Sequence, residues 1–194
     1  MFILLKNALR LTLLLSLITG LAYPLLSTWL AQTLFPAQAN GSLLTRDGHS
    51  VGSALIGQPF ARQDYFWSRP SAVGYSALAS GGSNLGPLNP QLTQNIEAQL
   101  QTWPQQPASL RVPVDLVTTS ASGLDPHLSP AAVLFQVPRV AAARHLAPDQ
   151  LNDLIRAAIE RPALGFLGSP VVNVLQLNMA LDRLDATPAP TETP

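Results

Sequence analysis

Between Leu11 and Phe35 the chain reads LTLLLSLITGLAYPLLSTWLAQTLF, 25 residues without one charged side chain. As a helix rising 1.5 Å per residue, such a run spans about 37 Å, more than the roughly 30 Å of hydrocarbon in a bilayer. Ten of the 25 are leucine. Each is worth about −0.5 kcal/mol of insertion near a helix centre, roughly −5 kcal/mol together. Tyr23 and Trp29 lie in the second half, with Trp29 close to a water interface, where an amphipathic ring is at home. The segment predicts a membrane helix over 11–34.

Its flanks suggest an orientation. Lys6 and Arg10 stand just before the run, and the next charge is Arg46. Positive residues stay on the cytoplasmic side, so residues 1–10 are expected inside and everything beyond about 35 outside. A secretory signal peptide cut near Ala37-Gln38-Ala39 is the rival, but its apolar core is normally about 7–15 residues, so an uncleaved anchor is expected. Thr12, Ser16, Gly20, Pro24 and Thr28 recur every four residues. The first three stay within about 80° of arc. Small residues so spaced let a second helix approach closely, making Thr12, Ser16 and Gly20 a candidate helix-packing face. Pro24 lacks an N–H and is expected to kink the helix.

Residues 35–185 are long enough for one domain with a real core. The fold class expected is α+β: a single N-terminal membrane helix followed by one mixed α/β extracytoplasmic domain. Beyond the anchor, nine arginines face eleven acids, a formal −2, so no basic surface recommends a nucleic-acid partner. There is no cysteine, and the one lysine is Lys6. Disulfides and thiol chemistry are thereby excluded, as is the phosphate-binding lysine of a Walker A loop.

Asp47-Gly48 between Leu43–Arg46 and His49–Ile56 is a hairpin signal. Residues 64–68 and 111–118 read as further extended runs. The stretch Ser80-Gly81-Gly82-Ser83-Asn84-Leu85-Gly86-Pro87-Leu88-Asn89-Pro90 is turn chemistry, of a length usually functional or self-packed. Asn89-Pro90 opens a helix to about Trp103 with Leu92, Ile96 and Leu100 on one face. Ser129-Pro130 opens another, which Pro138 is expected to kink or split. A third begins at Pro148-Asp149, with Leu151, Leu154, Ile155 and Ile159 as its apolar stripe, and runs until Gly168-Ser169-Pro170 breaks it. Val171–Leu175 reads as a strand, with a short helix from Leu177 to Leu184. Residues 186–194, ATPAPTETP, predict a disordered tail.

Ser120, Ser122, Asp125 and His127 are hydrolase letters, yet no G-x-S-x-G elbow surrounds either serine. A stand-alone tethered hydrolase using Ser122 and His127, or a tethered binding domain, is therefore the weaker alternative, and Asp125 and His127 read better as a candidate interface. His49, His127 and His145 lack metal-ligand spacing, so neither a catalytic nor a metal site is expected. Val73-Gly74-Tyr75 echoes a potassium-channel filter, but one spanning helix cannot carry such a loop at membrane depth. Ser80, Gly81, Gly82, Ser83 and Asn84 are a candidate partner-binding or nucleotide-proximal loop.

Several of these residues resemble a known family. Gly52-Ser53-Ala54-Leu55-Ile56-Gly57-Gln58, Tyr65-Phe66, Arg69-Pro70-Ser71, Ser80 to Pro87, Val114 to Thr118, Ser120 to His127, Gln136-Val137, Arg139-Val140-Ala141 and Val172 to Asn178 look like the C subunit of the Kdp potassium-transporting P-type ATPase. The likeness runs in order from the anchor to about Asp185. The Pro-rich tail departs from it, and the 90–110 segment looks short. The resemblance implies a bacterial inner-membrane complex with a channel-like potassium-binding subunit, the P-type ATPase subunit and a small single-span subunit. In it this chain would bind no cofactor firmly, ATP and potassium being handled by the partners. It also implies a stabiliser and catalytic chaperone that raises the ATPase partner's affinity for ATP. An exported domain cannot touch cytoplasmic ATP, so such an effect would have to pass through the membrane helices.

Overall fold

The computed structural model describes residues 1–103, 111–162 and 164–185. It divides into two compact units, Met1–Ser53 and the chain from Ala54 onward. The expected tail and the end of the 90–110 segment lie outside the described residues.

The first unit is a long apolar helix and a hairpin. Helix α1 (Phe2–Leu17) passes through a wide π-turn, Ile18–Ala22, into α2 (Tyr23–Leu34). Together they make one 33-residue helix, Phe2–Leu34, long and apolar enough to cross a membrane. The helix begins well before the apolar run, so Lys6 and Arg10 ride on its first turns. Pro24 neither breaks nor ends it. Proline cannot donate to the carbonyl four residues back, and the helix widens just before it, with the Tyr23 N–H bonding to the Ile18 carbonyl instead. A short helix α3 (Pro36–Ala39) follows. Strands β1 (Leu43–Arg46) and β2 (His49–Ser53) then pair antiparallel. Asp47 and Gly48 sit at φ 50° and 78°, the two left-handed positions of the expected hairpin turn.

Four helices and a small sheet form the second unit: α4 (Pro90–Thr102), α5 (Pro130–Arg144), α6 (Pro148–Ala158) and α7 (Val174–Asp185). The starts expected for the first three hold. The Asn89 carboxamide oxygen accepts from the Gln91 N–H at 2.9 Å, and the Ser129 hydroxyl from the Ala132 N–H at 3.3 Å. Proline occupies the first helical position of each. Pro138 does not split α5. It lies with Leu134 on an exposed face, where solvent takes the carbonyl it leaves free. Strands β3 (His127–Leu128), β4 (Ile159–Glu160) and β5 (Val171–Asn173) form an antiparallel sheet in the order β3-β5-β4. Phe66, Leu116, Leu128, Val140, Leu151, Ile155, Val172, Leu177 and Leu181 are buried at its core.

Five expectations are corrected. Residues 64–68 are extended but join no sheet, for a reason given below. Residues 111–118 hold a 3₁₀ turn, Val114–Leu116, not a strand. Leu100 is 42% exposed; Gln99 and then the buried Trp103 take its place on the packed face of α4. The Val171–Leu175 strand ends at Asn173, whose side-chain oxygen accepts from the Gln176 N–H and starts α7 early. α6 stops at Ala158 instead of running on to Gly168, because Ile159 and Glu160 pair with β5.

Candidate functional site

The extended run 64–68 is held by side chains where a neighbouring strand would be. The Asn178 carboxamide accepts from the Phe66 N–H and donates to the Phe66 carbonyl, both at 2.9 Å. One residue on, the Gln136 carboxamide accepts from the Trp67 N–H at 2.8 Å and donates to its carbonyl at 3.1 Å. Each amide satisfies both polar groups of one residue, as a strand partner would, and Gln136 and Asn178 are themselves buried. Arg139 adds three bonds, to the Gln63 and Tyr65 carbonyls and the Gln136 oxygen. Its guanidinium lies 4.1 Å from the Trp67 ring centroid. Burial pushes its pKa down to about 10, so it stays charged at neutral pH. Arg144 closes the set, donating to the Asp64 carbonyl at 2.7 Å and to the Asp182 carboxylate at 2.8 Å.

This clamp delivers Arg69-Pro70-Ser71 to the loops picked out above. The Ser71 hydroxyl donates to the Gly123 carbonyl at 2.7 Å and accepts from the Val73 and Tyr75 N–H groups. The Ser120 N–H bonds to the Pro70 carbonyl at 3.2 Å. The glycine-rich loop then docks on the same turn: the Gly81 N–H and the Ser80 hydroxyl both donate to the Ser122 carbonyl, at 2.8 and 3.0 Å. A Cβ at Gly82 would stand 2.9 Å from the Ala121 carbonyl oxygen, and one at Gly57 2.6 Å from that of Asp125. Loop 80–84 and the 119–127 turn therefore form one surface. Asn84, at φ 52°, ends the loop in a left-handed turn that asparagine tolerates.

Asp125 and His127 meet there, and Arg69, missed as a site residue in the sequence, joins them. The Arg69 guanidinium is 3.5 Å from one Asp125 oxygen, and His127 Nδ1 is 3.6 Å from the other. The His127 side chain beside it holds the Asp125 carboxyl below its ordinary range against the opposing effect of burial, and the His127 N–H, donating to Asp125 Oδ1 at 3.0 Å, and Arg69's charge assist. The same side-chain contact raises the His127 pKa, with burial opposing and Glu160 assisting. These shifts have opposite pH signatures. The His127 contribution is complete below its ordinary value of about 6.5 and is lost as pH rises through its raised folded value. The Asp125 contribution is present above about 3.9 and disappears as pH falls through its lowered value. Asp125→Asn is expected to shift the His127 titration downward in NMR and to flatten the fall in melting temperature above pH about 6.5. An unchanged His127 titration would refute the pairing.

Two clefts border α4. One, of about 400 Å³, lies between its Leu92, Asn95, Ile96 and Gln99 and the backbone around Pro70–Ala72 and Val117–Thr119. The other, about 380 Å³, is lined by Trp67, Tyr75, Gln99 and Trp103 among others. No ionisable carboxyl, amine, guanidine or imidazole among the described residues lines either. Among the described residues no group of three or more His, Asp or Glu could hold a metal ion. The Ser122 hydroxyl accepts from the Leu124 N–H at 3.1 Å, a local turn bond, while His127 faces Asp125. The membrane-helix stripe is open, with nothing within 4 Å of a Cβ built at Gly20.

Likeness to other proteins places the chain in a family. The family described as "KdpC: K+-transporting ATPase, c chain" matches residues 5–183. The chain belongs to the KdpC family. It is 54% identical over 186 residues to the potassium-transporting ATPase KdpC subunit of Photorhabdus laumondii, covering 93% of this chain and 96% of that one. The subunit of the same name from Polaromonas naphthalenivorans is 53% identical over 96% of this chain and 97% of its own. That of Herpetosiphon aurantiacus is 51% identical over 92% and 95%. The KdpC match takes in the membrane helix, the amide clamp and both loops together.

Proposed function

We propose that this chain is a non-catalytic accessory subunit of a potassium-transporting P-type ATPase. It would stabilise an assembly with a channel-like potassium-binding subunit, the P-type ATPase subunit and a small single-span subunit. It would also act as a catalytic chaperone that raises the ATPase subunit's affinity for ATP. The observation that carries this reading is the KdpC match over residues 5–183, which includes the membrane helix and the joined loops alike. We further propose that the chain lies in a bacterial inner membrane with its N-terminus cytoplasmic and its body outside, on the strength of Lys6 and Arg10 against an uncharged far flank. Potassium and ATP are then handled by partners, and the effect on ATP passes through the membrane helices.

Co-expression with the other subunits of such an ATPase tests this. Deleting the chain should abolish potassium uptake, while His127→Ala should leave transport largely intact. A loss of several orders of magnitude from His127→Ala alone would instead indicate a catalytic base. An alkaline phosphatase fused after Asp185 should be active; an inactive fusion beside an active cytoplasmic reporter would overturn the orientation.

The helix stripe supplies a sharper expectation. Gly20→Leu keeps the span apolar and meets no neighbour within the chain, so insertion should be normal. Against a partner helix it must hold the backbones apart, at about 1–3 kcal/mol. Recovery of the assembled complex should fall roughly tenfold, while Leu14→Ile, off the stripe, changes nothing. Equal recovery from both variants would make the stripe incidental.

A further inference from the structure

β4 and β5 are the arms of a hairpin, Ile159 opposite Val172 and Glu160 opposite Val171. The connection between them carries three bulky apolar side chains that the chain leaves uncovered: Leu164, Phe166 and Leu167 are 81%, 73% and 57% exposed. Single exposed leucines are ordinary, but a clustered apolar patch marks a contact with a protein or a membrane. This tip is a defined turn. The Gly165 N–H bonds to the Pro162 carbonyl at 3.0 Å, and the Gly168 N–H to that of Phe166 at 3.2 Å. Leu164 sits at φ 55°, a left-handed position where a bulky residue is a genuine outlier and glycine is free of strain. Leucine there strains the backbone without becoming buried in its own chain, so whatever favours its side chain lies outside.

We propose that this tip enters the headgroup–acyl boundary of the bilayer, a second and shallow membrane contact of the same chain. The inference rests on reading Phe2–Leu34 as a membrane span. Two observations favour lipid over a protein surface. Leu164, Gly165, Phe166 and Leu167 offer no polar side chain that would specify a partner, and no charge occurs between Arg161 and Asp182. The chain also carries its own 33-residue apolar helix. Tethering raises the local concentration of bilayer, so an insertion too weak to hold a free protein suffices here. Arg161, exposed at the base of the tip, is placed to meet headgroup phosphates.

The absence of cysteine makes the test clean, because one introduced cysteine takes a nitroxide label uniquely. Full-length Phe166→Cys, Leu78→Cys and Leu14→Cys would be reconstituted in vesicles of phosphatidylcholine and phosphatidylglycerol. Collisions with oxygen, which concentrates in lipid, are compared with those of a water-soluble nickel chelate. The labels at 14 and 166 are expected to favour oxygen, and the label at 78, replacing a fully exposed leucine, to favour the chelate. If 166 behaves like 78 while 14 favours oxygen, the tip proposal is overturned and the span stands. If 14 favours the chelate too, the span itself fails and takes the proposal with it. A label at 166 shielded only after the other ATPase subunits are added would make the tip a protein contact and overturn the lipid assignment. Leu164→Gly in the Phe166→Cys background should hold or raise the melting temperature by removing strain, yet lower the oxygen preference. A fall in melting temperature would show that Leu164 serves the fold, and would refute the proposal.

Discussion

Replacing Asn178 with leucine is expected to lower the stability of the body by about 2–6 kcal/mol. The two side chains are similar in size, so a cavity is not the cause. Phe66 is completely buried, and its N–H and carbonyl are both bonded to the Asn178 carboxamide. Leucine would orphan both groups, at about 1–3 kcal/mol each. Against a typical total of about 5–15 kcal/mol, that is enough to unfold much of the protein. Urea unfolding of the full-length protein in detergent measures it. Asn178→Asp should cost less at low pH, where the protonated carboxyl can both accept from the Phe66 N–H and donate to its carbonyl. A midpoint unchanged by Asn178→Leu would show that Phe66 finds other partners.

Gly123→Ala should be nearly as damaging, and by a different route. Gly123 sits at φ 69°, where an L-residue costs about 1–2 kcal/mol. Its new Cβ would stand 2.5 Å from a Val73 methyl and 2.7 Å from the Gly81 carbonyl oxygen. The valine can rotate away, but the Gly81 carbonyl is backbone and must move. Adding about 1–3 kcal/mol for overpacking gives a loss of roughly 2–5 kcal/mol. The displaced segment is the glycine-rich loop, so association with partner subunits should weaken as well. Gly81→Ala is the control: its Cβ would meet only a Val73 methyl at 3.9 Å, and stability should stay within about 0.5 kcal/mol. Equal effects from the two variants would mean that the loop contact is not what Gly123 preserves.

Those two sites mark the limit of what could be read from the residues. Helix starts were legible because their signals are local: Asn89-Pro90, Ser129-Pro130 and Pro148-Asp149 each carry their own chemistry within one turn. The Asp47-Gly48 hairpin was legible for the same reason. Run 64–68 looked like a strand because its composition suits extended backbone, and extended it is. Its partners, though, are amides on α5 and α7, 69 and 112 residues away for the nearest bonds of Trp67 and Phe66. No local pattern announces that. Similarly, Ser80–Asn84 and Asp125-His127 were each legible as unusual, while their union required Arg69-Pro70-Ser71 to be carried between them. The family likeness singled out Arg69-Pro70-Ser71 in the sequence, but Arg69's role at Asp125 needed the third dimension. Leu100 failed because a four-residue step drifts off a helix face, and the true stripe moves on to Gln99 and Trp103.

The amide clamp also bears on the order in which the newborn chain acquires its shape. Synthesis runs from the N-terminus, so the anchor and its hairpin emerge first and close through neighbours in sequence. Residues 63–67 emerge next, but Gln136, Arg139, Arg144 and Asn178 do not yet exist to receive them. β3 likewise waits for β5, since His127 pairs with Asn173. Contacts so distant along the chain form slowly, and a body that depends on its last helix cannot settle piecemeal. The chain from Ala54 cannot complete these contacts until α7 has been made. A stop codon before Asn178 would leave the earlier residues without the piece that locks them, and a holding chaperone or an early-binding partner subunit would find its substrate in that interval.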